Sequence, residues 1–174
     1  MNLYQKFRGI LEKYGRNCLL IRASNMTKCS CWDEKRQEAQ RDCPSCFGLG
    51  SVPIIEKHLA RNTDTSVPET LALLGQAGNF GEMMVPGRFY YMDRTTQVKQ
   101  GDLILEVDWT PQGLPIYNGG DLFEVSHISP YHFERDELIY KKVYVHDQPI
   151  QKEIRGIRIV ERPFEIGYEL LYRK

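Results

Sequence analysis

Cys29, Cys31, Cys43 and Cys46 crowd into the stretch CSCWDEKRQEAQRDCPSC, which leaves only Cys18 of the five cysteines outside it. They form a CxC pair and a CPSC pair with eleven residues between. A tetrahedral zinc ion takes four soft ligands about 2.3 Å from the metal, and two close pairs joined by a loop can supply them. Pro44 suits a turn between ligands, and Gly48 and Gly50 allow the chain to leave the cluster through backbone angles that other residues resist. Between the pairs, WDEKRQEAQRD carries only Trp32 and Ala39 as apolar residues, too little to hold an excursion in place by burial. A structural zinc contributes on the order of 10–16 kcal/mol in small finger peptides, comparable to a whole domain's net stability of about 5–15 kcal/mol. The expectation is a structural Zn2+ on these four cysteines, with two disulfides or free thiols as the alternatives. Catalytic zinc is disfavoured because four thiolates leave no open position. A thioredoxin-like redox pair would want its CxxC at a helix start in a βαβ unit. Cys18 reads as a buried small hydrophobe or else as a fifth thiol near the metal, and His58 is left out of the ligand set.

The elements that must position this cluster follow from periodicity. Leu3, Phe7, Ile10 and Tyr14 recur at helical spacing, with Tyr4 and Leu11 on an adjoining stripe and Gln5, Lys6, Arg8, Glu12 and Lys13 opposite. This predicts a short amphipathic helix, capped by Gly15, able to pack on its own barrel or on a neighbouring copy. The apolar run Cys18–Ile21 predicts a strand entering the core, and SVPIIEKHLA a further extended segment. From Val85 onward RFYYM, DLILEVDW, DLFEVSHIS, ELIYKKVYVH, IRGIRIVE and YELLY are short, rich in β-branched and aromatic residues, and separated by turn formers. The fold class is mainly β: an antiparallel small β-barrel or sandwich with an N-terminal amphipathic helix and a four-cysteine zinc knuckle. In DLILEVDW, Leu103, Leu105 and Val107 alternate with Ile104, Glu106 and Asp108, predicting one core face and one wetter face. The expected organisation is one compact unit: residues 1–60 as helix, strand and knuckle, 61–84 as a long loop, and 85–174 as the barrel.

Charge narrows the function classes. Lys plus Arg equals Asp plus Glu at 23 each, so no net field draws the chain to nucleic acid or an anionic membrane. Around the knuckle, Lys28, Lys35, Arg36 and Arg41 are offset by Asp33, Glu34, Glu38 and Asp42, which weighs against the alternative of a nucleic-acid-binding zinc ribbon. A hydrolase would have to draw on Asp102, Glu106, Asp108, Asp121, Glu124, His127, His132 and His146. No serine elbow, HExxH or phosphate loop accompanies them, and the expectation is no enzyme. The N-terminus has no apolar signal-peptide run and no segment approaches a membrane span, so the expectation is a soluble protein of a reducing cytosol.

The helix ending in KYG, the extended NCLLIRAS, the CSC…CPSCFGLG cluster, and then QGDLILEVDW, GDLFEVSHISPYHF and LIYKKVYVH together resemble the small neck proteins of tailed bacteriophages, the head-closure or head-to-tail connector family. The likeness covers most of the chain, Arg61–Glu82 matching least, and the cysteine motif is its specific part. It implies a structural virion protein of the neck, assembled in host cytoplasm, that joins portal and head to tail and helps close the DNA-filled head. Its implied partners are other copies in a ring, the portal or adaptor, a tail-terminator or other neck protein, and packaged DNA in the lumen without sequence specificity, with no membrane partner.

Overall fold

The computed structural model describes residues 2–41, 43, 45–65, 87–117, 119, 121–133, 137–147, 157–161 and 167–172, with backbone alone at 24–26, 64–65, 87, 157–158 and 170–172. Among these residues a helix, α1 (Leu3–Tyr14), leads into twelve strands: β1 (Arg16–Lys28), β2 (Trp32–Asp33), β3 (Glu38–Ala39), β4 (Ser51–Thr65), β5 (Gly87–Asp93), β6 (Leu103–Leu105), β7 (Asp108–Trp109), β8 (Pro115–Ile116), β9 (Leu122–Phe133), β10 (Glu137–Asp147), β11 (Ile157–Glu161) and β12 (Tyr168–Tyr172). Six of them close an antiparallel barrel in the order β1-β4-β5-β10-β9-β6, and the other six form three small hairpins. The expected class, a small antiparallel barrel with an N-terminal helix, is therefore present. Its boundaries differ from those expected: β1 and β4 lie in the first 65 residues, so the barrel is not confined to 85–174, and Arg61–Thr65 belong to β4 rather than to a loop. Residues 66–84, the rest of that expected loop, lie outside the described ones, as do 85–86 and Pro44.

The wall of the barrel separates two cores. Inside lie Cys18, Leu20, Ala60, Tyr90, Met92, Ile104, Phe123, Val125 and Val143. Outside, Leu19, Ile21, Ile55, Leu103, Leu105 and Leu122 form a second cluster with Ile159 and Tyr168 of the β11–β12 hairpin, flanked by Phe47, Leu49, Val107, Trp109 and Tyr117. β1 and β6 are thus covered on both faces, which is why Cys18–Ile21 and Leu103–Leu105 read as unbroken apolar runs. The face of DLILEVDW expected to be wetter is only partly so: Ile104 is buried inside the barrel while Glu106 is half-buried and Asp108 exposed, and the appendages bury Leu103 and Leu105 on the other face. Each such side chain contributes about 1.5–3 kcal/mol when fully buried.

The two ends of the barrel differ. Register places the end of β1, the start of β4 and the tip of β9–β10 together at one end. The segment after β5 closes this end by burying Thr96 and Val98. Here the Lys141 Nζ donates to the Thr96 carbonyl at 2.5 Å, Arg22 donates to Glu56 at 2.5 Å, and His58 lies 3.0 Å from Glu56 Oε2 and 3.4 Å from the Thr96 hydroxyl. The opposite end, where β1 begins and β4 and β6 finish, is left open by the described residues.

α1 is nucleated by a capping box in which Asn2 Oδ1 accepts from the Gln5 amide at 2.8 Å and the Gln5 side chain accepts from the Asn2 amide. Gly15 follows as the cap, with its amide donating to the Leu11 carbonyl at 2.7 Å. Its φ of −75° is open to any residue; glycine is needed because an added Cβ would stand 2.4 Å from that carbonyl. The inward stripe is Tyr4, Phe7 and Leu11: Tyr4 donates to Asp93, Phe7 stacks on Tyr140 at 4.9 Å, and Leu11 is buried. Leu3, Ile10 and Tyr14 face outward, 36%, 46% and 57% exposed, so the expected stripe splits between barrel and solvent. Among the described residues no helix is long and apolar enough to cross a membrane.

Candidate metal centre

The chain leaves β1 at Lys28 and makes a compact loop before entering β4 at Ser51, with the four cysteines at its centre. Cys29 is fixed at the base by its amide, which donates to the Gly50 carbonyl at 3.0 Å. Tight turns then follow: Trp32 N–H to Cys29 C=O at 3.0 Å, Cys43 N–H to Gln40 C=O at 3.1 Å, Phe47 N–H to Cys43 C=O at 2.8 Å, and Leu49 N–H to Cys46 C=O at 2.9 Å. The β2–β3 hairpin sets Trp32 opposite Ala39, the only two apolar residues of the excursion, and both lie against Gly50. Gly48 and Gly50 have φ of +80° and +76°, as their place after the ligand pair predicts, and Phe47 shares that left-handed region at +54°.

All four sulfurs lie within 4.8 Å of one another. Cys29 and Cys43 are 3.7 Å apart and Cys31 and Cys46 are 3.4 Å apart, and every cysteine is unbridged. A tetrahedral ion with sulfur at about 2.3 Å has ligand–ligand edges of about 3.8 Å, so the cluster has the dimensions of a four-thiolate metal site. Cys29, Cys43 and Cys46 are buried, Cys46 completely.

The electrostatics suit a cation. Burial opposes ionisation of Cys29, but the Cys31 amide and the surrounding thiols overcome it and hold Cys29 at about 7. Burial pushes the Cys31 and Cys46 thiols up, although the Gln40 amide faces the first and the Gly50 amide the second. A divalent ion at the centre would stabilise all four thiolates. Three of the four sulfurs thus have a backbone N–H directed at them, an outer shell that favours the charged form.

No family model and no curated protein sequence matches the chain. The chemistry has to be read from its own side chains.

The other singled-out residues separate. Cys18 is inside the barrel, its thiol donating to the His58 carbonyl at 3.5 Å and pushed up to about 12 by burial, so it is no fifth ligand. His58 belongs to the Glu56–Thr96 network of the closed end. Of the acids and histidines considered for hydrolysis, His146 and Glu124 approach to 3.5 Å on the outer wall, while Asp121 pairs with Arg88 at 3.4 Å. Asp102 is buried at the closed end, its carboxyl raised by that burial and accepting from the Lys99 amide at 2.7 Å. Glu106 sits at the open end instead. The sequence reading misses its partners, Tyr90 and Asn62, because they come from two other strands.

Knuckle and barrel meet through Phe47 and Leu49, which pack onto the outer core. On the exposed side the charges pair locally: Lys28 with Glu34 at 2.9 Å, and Arg36 with Asp33 and Glu38 at 3.9 and 4.0 Å.

Proposed function

We propose that this chain is a structural component of a tailed-bacteriophage neck, one copy of a ring that joins portal and head to tail and helps close the DNA-filled head. In this reading Cys29, Cys31, Cys43 and Cys46 hold a structural Zn2+. A single observation carries the interface part: α1 buries one apolar stripe on the barrel and leaves Leu3, Ile10 and Tyr14 outward, a second stripe that a neighbouring copy would cover. Further apolar side chains stand out at the closed end, Val52 and Ile54 on β4 and Tyr131 and Phe133 on the β9–β10 hairpin, where other neck components would dock. The metal part is supported by a closed set of four sulfurs on a polar loop, a set that leaves no coordination position for a substrate. The nucleic-acid alternative loses ground because the knuckle's basic residues Lys28 and Arg36 are engaged in ion pairs with its own acids.

Gold-labelled antibody against the chain, applied to tailed particles that carry it, is expected to decorate the head–tail junction. Label confined to the capsid faces or tail shaft, or absence of the chain from purified particles, would refute the neck role. Elemental analysis of the purified protein is expected to find one zinc per chain.

A further inference from the structure

The open end of the barrel holds a cavity of about 940 Å3, within the range of roughly 300–1,000 Å3 typical of small-molecule sites. Its floor is the barrel interior: Cys18, Ala60 and the buried Tyr90. Over that floor stands Glu106. Tyr90 donates to its Oε1 at 2.5 Å and the Asn62 Nδ2 donates to the same oxygen at 3.0 Å. Burial first, and Glu106 second, push the Tyr90 phenol well above its ordinary range, so it stays a donor. Two donors fix the carboxylate while no hydrogen bond from a described residue reaches Oε2, and Asn62 Oδ1 is buried beside it without a partner. Both atoms are acceptors, which calls for a donor-rich cation.

The rim has the opposite demand. Arg16 is exposed with no acidic partner among the described residues, and Arg61 rests on the Tyr14 ring at 5.6 Å. Trp109, held by its Nε1 donating to the Asn17 carbonyl at 2.9 Å, and Tyr14 give flat apolar walls between floor and rim. With Asp108 the lining carries two acids and two arginines, neutral overall but with Glu106 deep and the arginines outside.

We propose that this cavity binds a basic amino-acid unit with a free carboxylate, its ammonium or guanidinium against Glu106 and its carboxylate at Arg16 and Arg61. The volume admits the unit either free or as the last residue of a polypeptide. This site is separate from the metal centre; it shares Tyr14 with the outward stripe of α1, and it does not depend on whether a neighbouring copy covers Leu3 and Ile10.

Titration of the full chain by NMR or calorimetry tests it, with L-arginine, agmatine, L-citrulline, and the peptide Gly-Gly-Gly-Arg as free acid and as amide. L-arginine or the free-acid peptide is expected to bind. Agmatine and the amide, which lack the carboxylate, and citrulline, which lacks the charge, should each bind about tenfold more weakly or worse, the loss of one charge-assisted hydrogen bond. Tighter binding of the peptide assigns the site to a polypeptide end; tighter binding of arginine assigns it to the free molecule. Glu106→Gln, which keeps an acceptor for Tyr90 and Asn62, should weaken binding at least about tenfold with an unchanged melt. Should that variant unfold, Arg16→Ser at the exposed rim decides by the same loss. No binding of arginine or peptide at millimolar concentration, or equal binding of all five compounds, overturns the proposal.

Discussion

Replacing Cys43 by serine removes one of three buried sulfurs and puts a poor ligand in its place, and the consequence should reach beyond the metal. With the proposed zinc site broken, the loop would lose a contribution on the order of 10–16 kcal/mol, far more than Trp32 packed on Ala39 and Gly50 supplies, so the knuckle should unfold locally. Phe47 and Leu49 would then leave the outer core. Both are part-buried, and at roughly half of the 1.5–3 kcal/mol for full burial they cost the barrel about 1.5–3 kcal/mol together. For a chain of this size about 2–4 °C accompanies each kcal/mol, so the barrel should melt some 3–12 °C lower while remaining folded at room temperature. The two tryptophans separate the events, because Trp32 lies in the knuckle and Trp109 packs against Tyr168 on the barrel. In single-tryptophan versions of Cys43→Ser, made with Trp109→Phe or Trp32→Phe, the Trp32 signal should be that of an unfolded segment from the start and the Trp109 signal should show one cooperative melt. Zinc by elemental analysis should fall from one per chain to near zero. Unchanged metal content, or coincident Trp32 and Trp109 transitions in the variant, would refute the reasoning.

Two further outcomes follow from single positions. Gly50→Ala puts a methyl group at φ +76° and 2.8 Å from two atoms of the Trp32 ring; it should weaken zinc binding by about 2–3 kcal/mol, or roughly 30- to 150-fold in chelator competition. Gly113→Ala, at φ +82° with nothing within 4 Å, is the control and should leave metal affinity alone. Glu56→Gln breaks the Arg22–Glu56–His58 group of the closed end and should cost about 1–3 kcal/mol at pH 7 in denaturant melts. Burial opposes its charge, yet His58 and Arg22 hold the Glu56 carboxyl below its ordinary range. Its stabilisation is therefore present above the ordinary carboxylate range and lost as pH falls through the depressed one, so parent and variant should converge in acid. A difference that persists at the lowest pH would show that packing, not charge, carries the effect.

Local features are the legible ones. The cysteine cluster can be read from spacing because its ligands come from one short loop, and the helix and barrel class from periods of 3.6 and 2. What escapes depends on distant contacts. Alternation in DLILEVDW suggests one wet face, but at Ile104 that face is the barrel interior, and the opposite face is buried by the β11–β12 hairpin and the knuckle; no local pattern announces a cover that arrives from elsewhere. The predicted helix stripe is centred one position away from the true one, since its inward side is chosen by Tyr140 and Asp93. SPYHFERD is one of the turn formers that separate the strands in sequence, yet β9 continues through Pro130 to Phe133, beyond the reach of β6, whose Leu103, Ile104 and Leu105 pair with Glu124, Phe123 and Leu122. Proline is tolerated on such an edge.

The double-faced wall also has a consequence in time. Leu19 and Ile21 leave the ribosome long before Ile159 and Tyr168, which shield them. Until then the nascent chain displays a sticky β surface, and a cell making many copies would have to guard it with chaperones or crowd it into aggregates. Slow translation through the final hairpin should therefore harm yield more than a comparable delay in the polar knuckle.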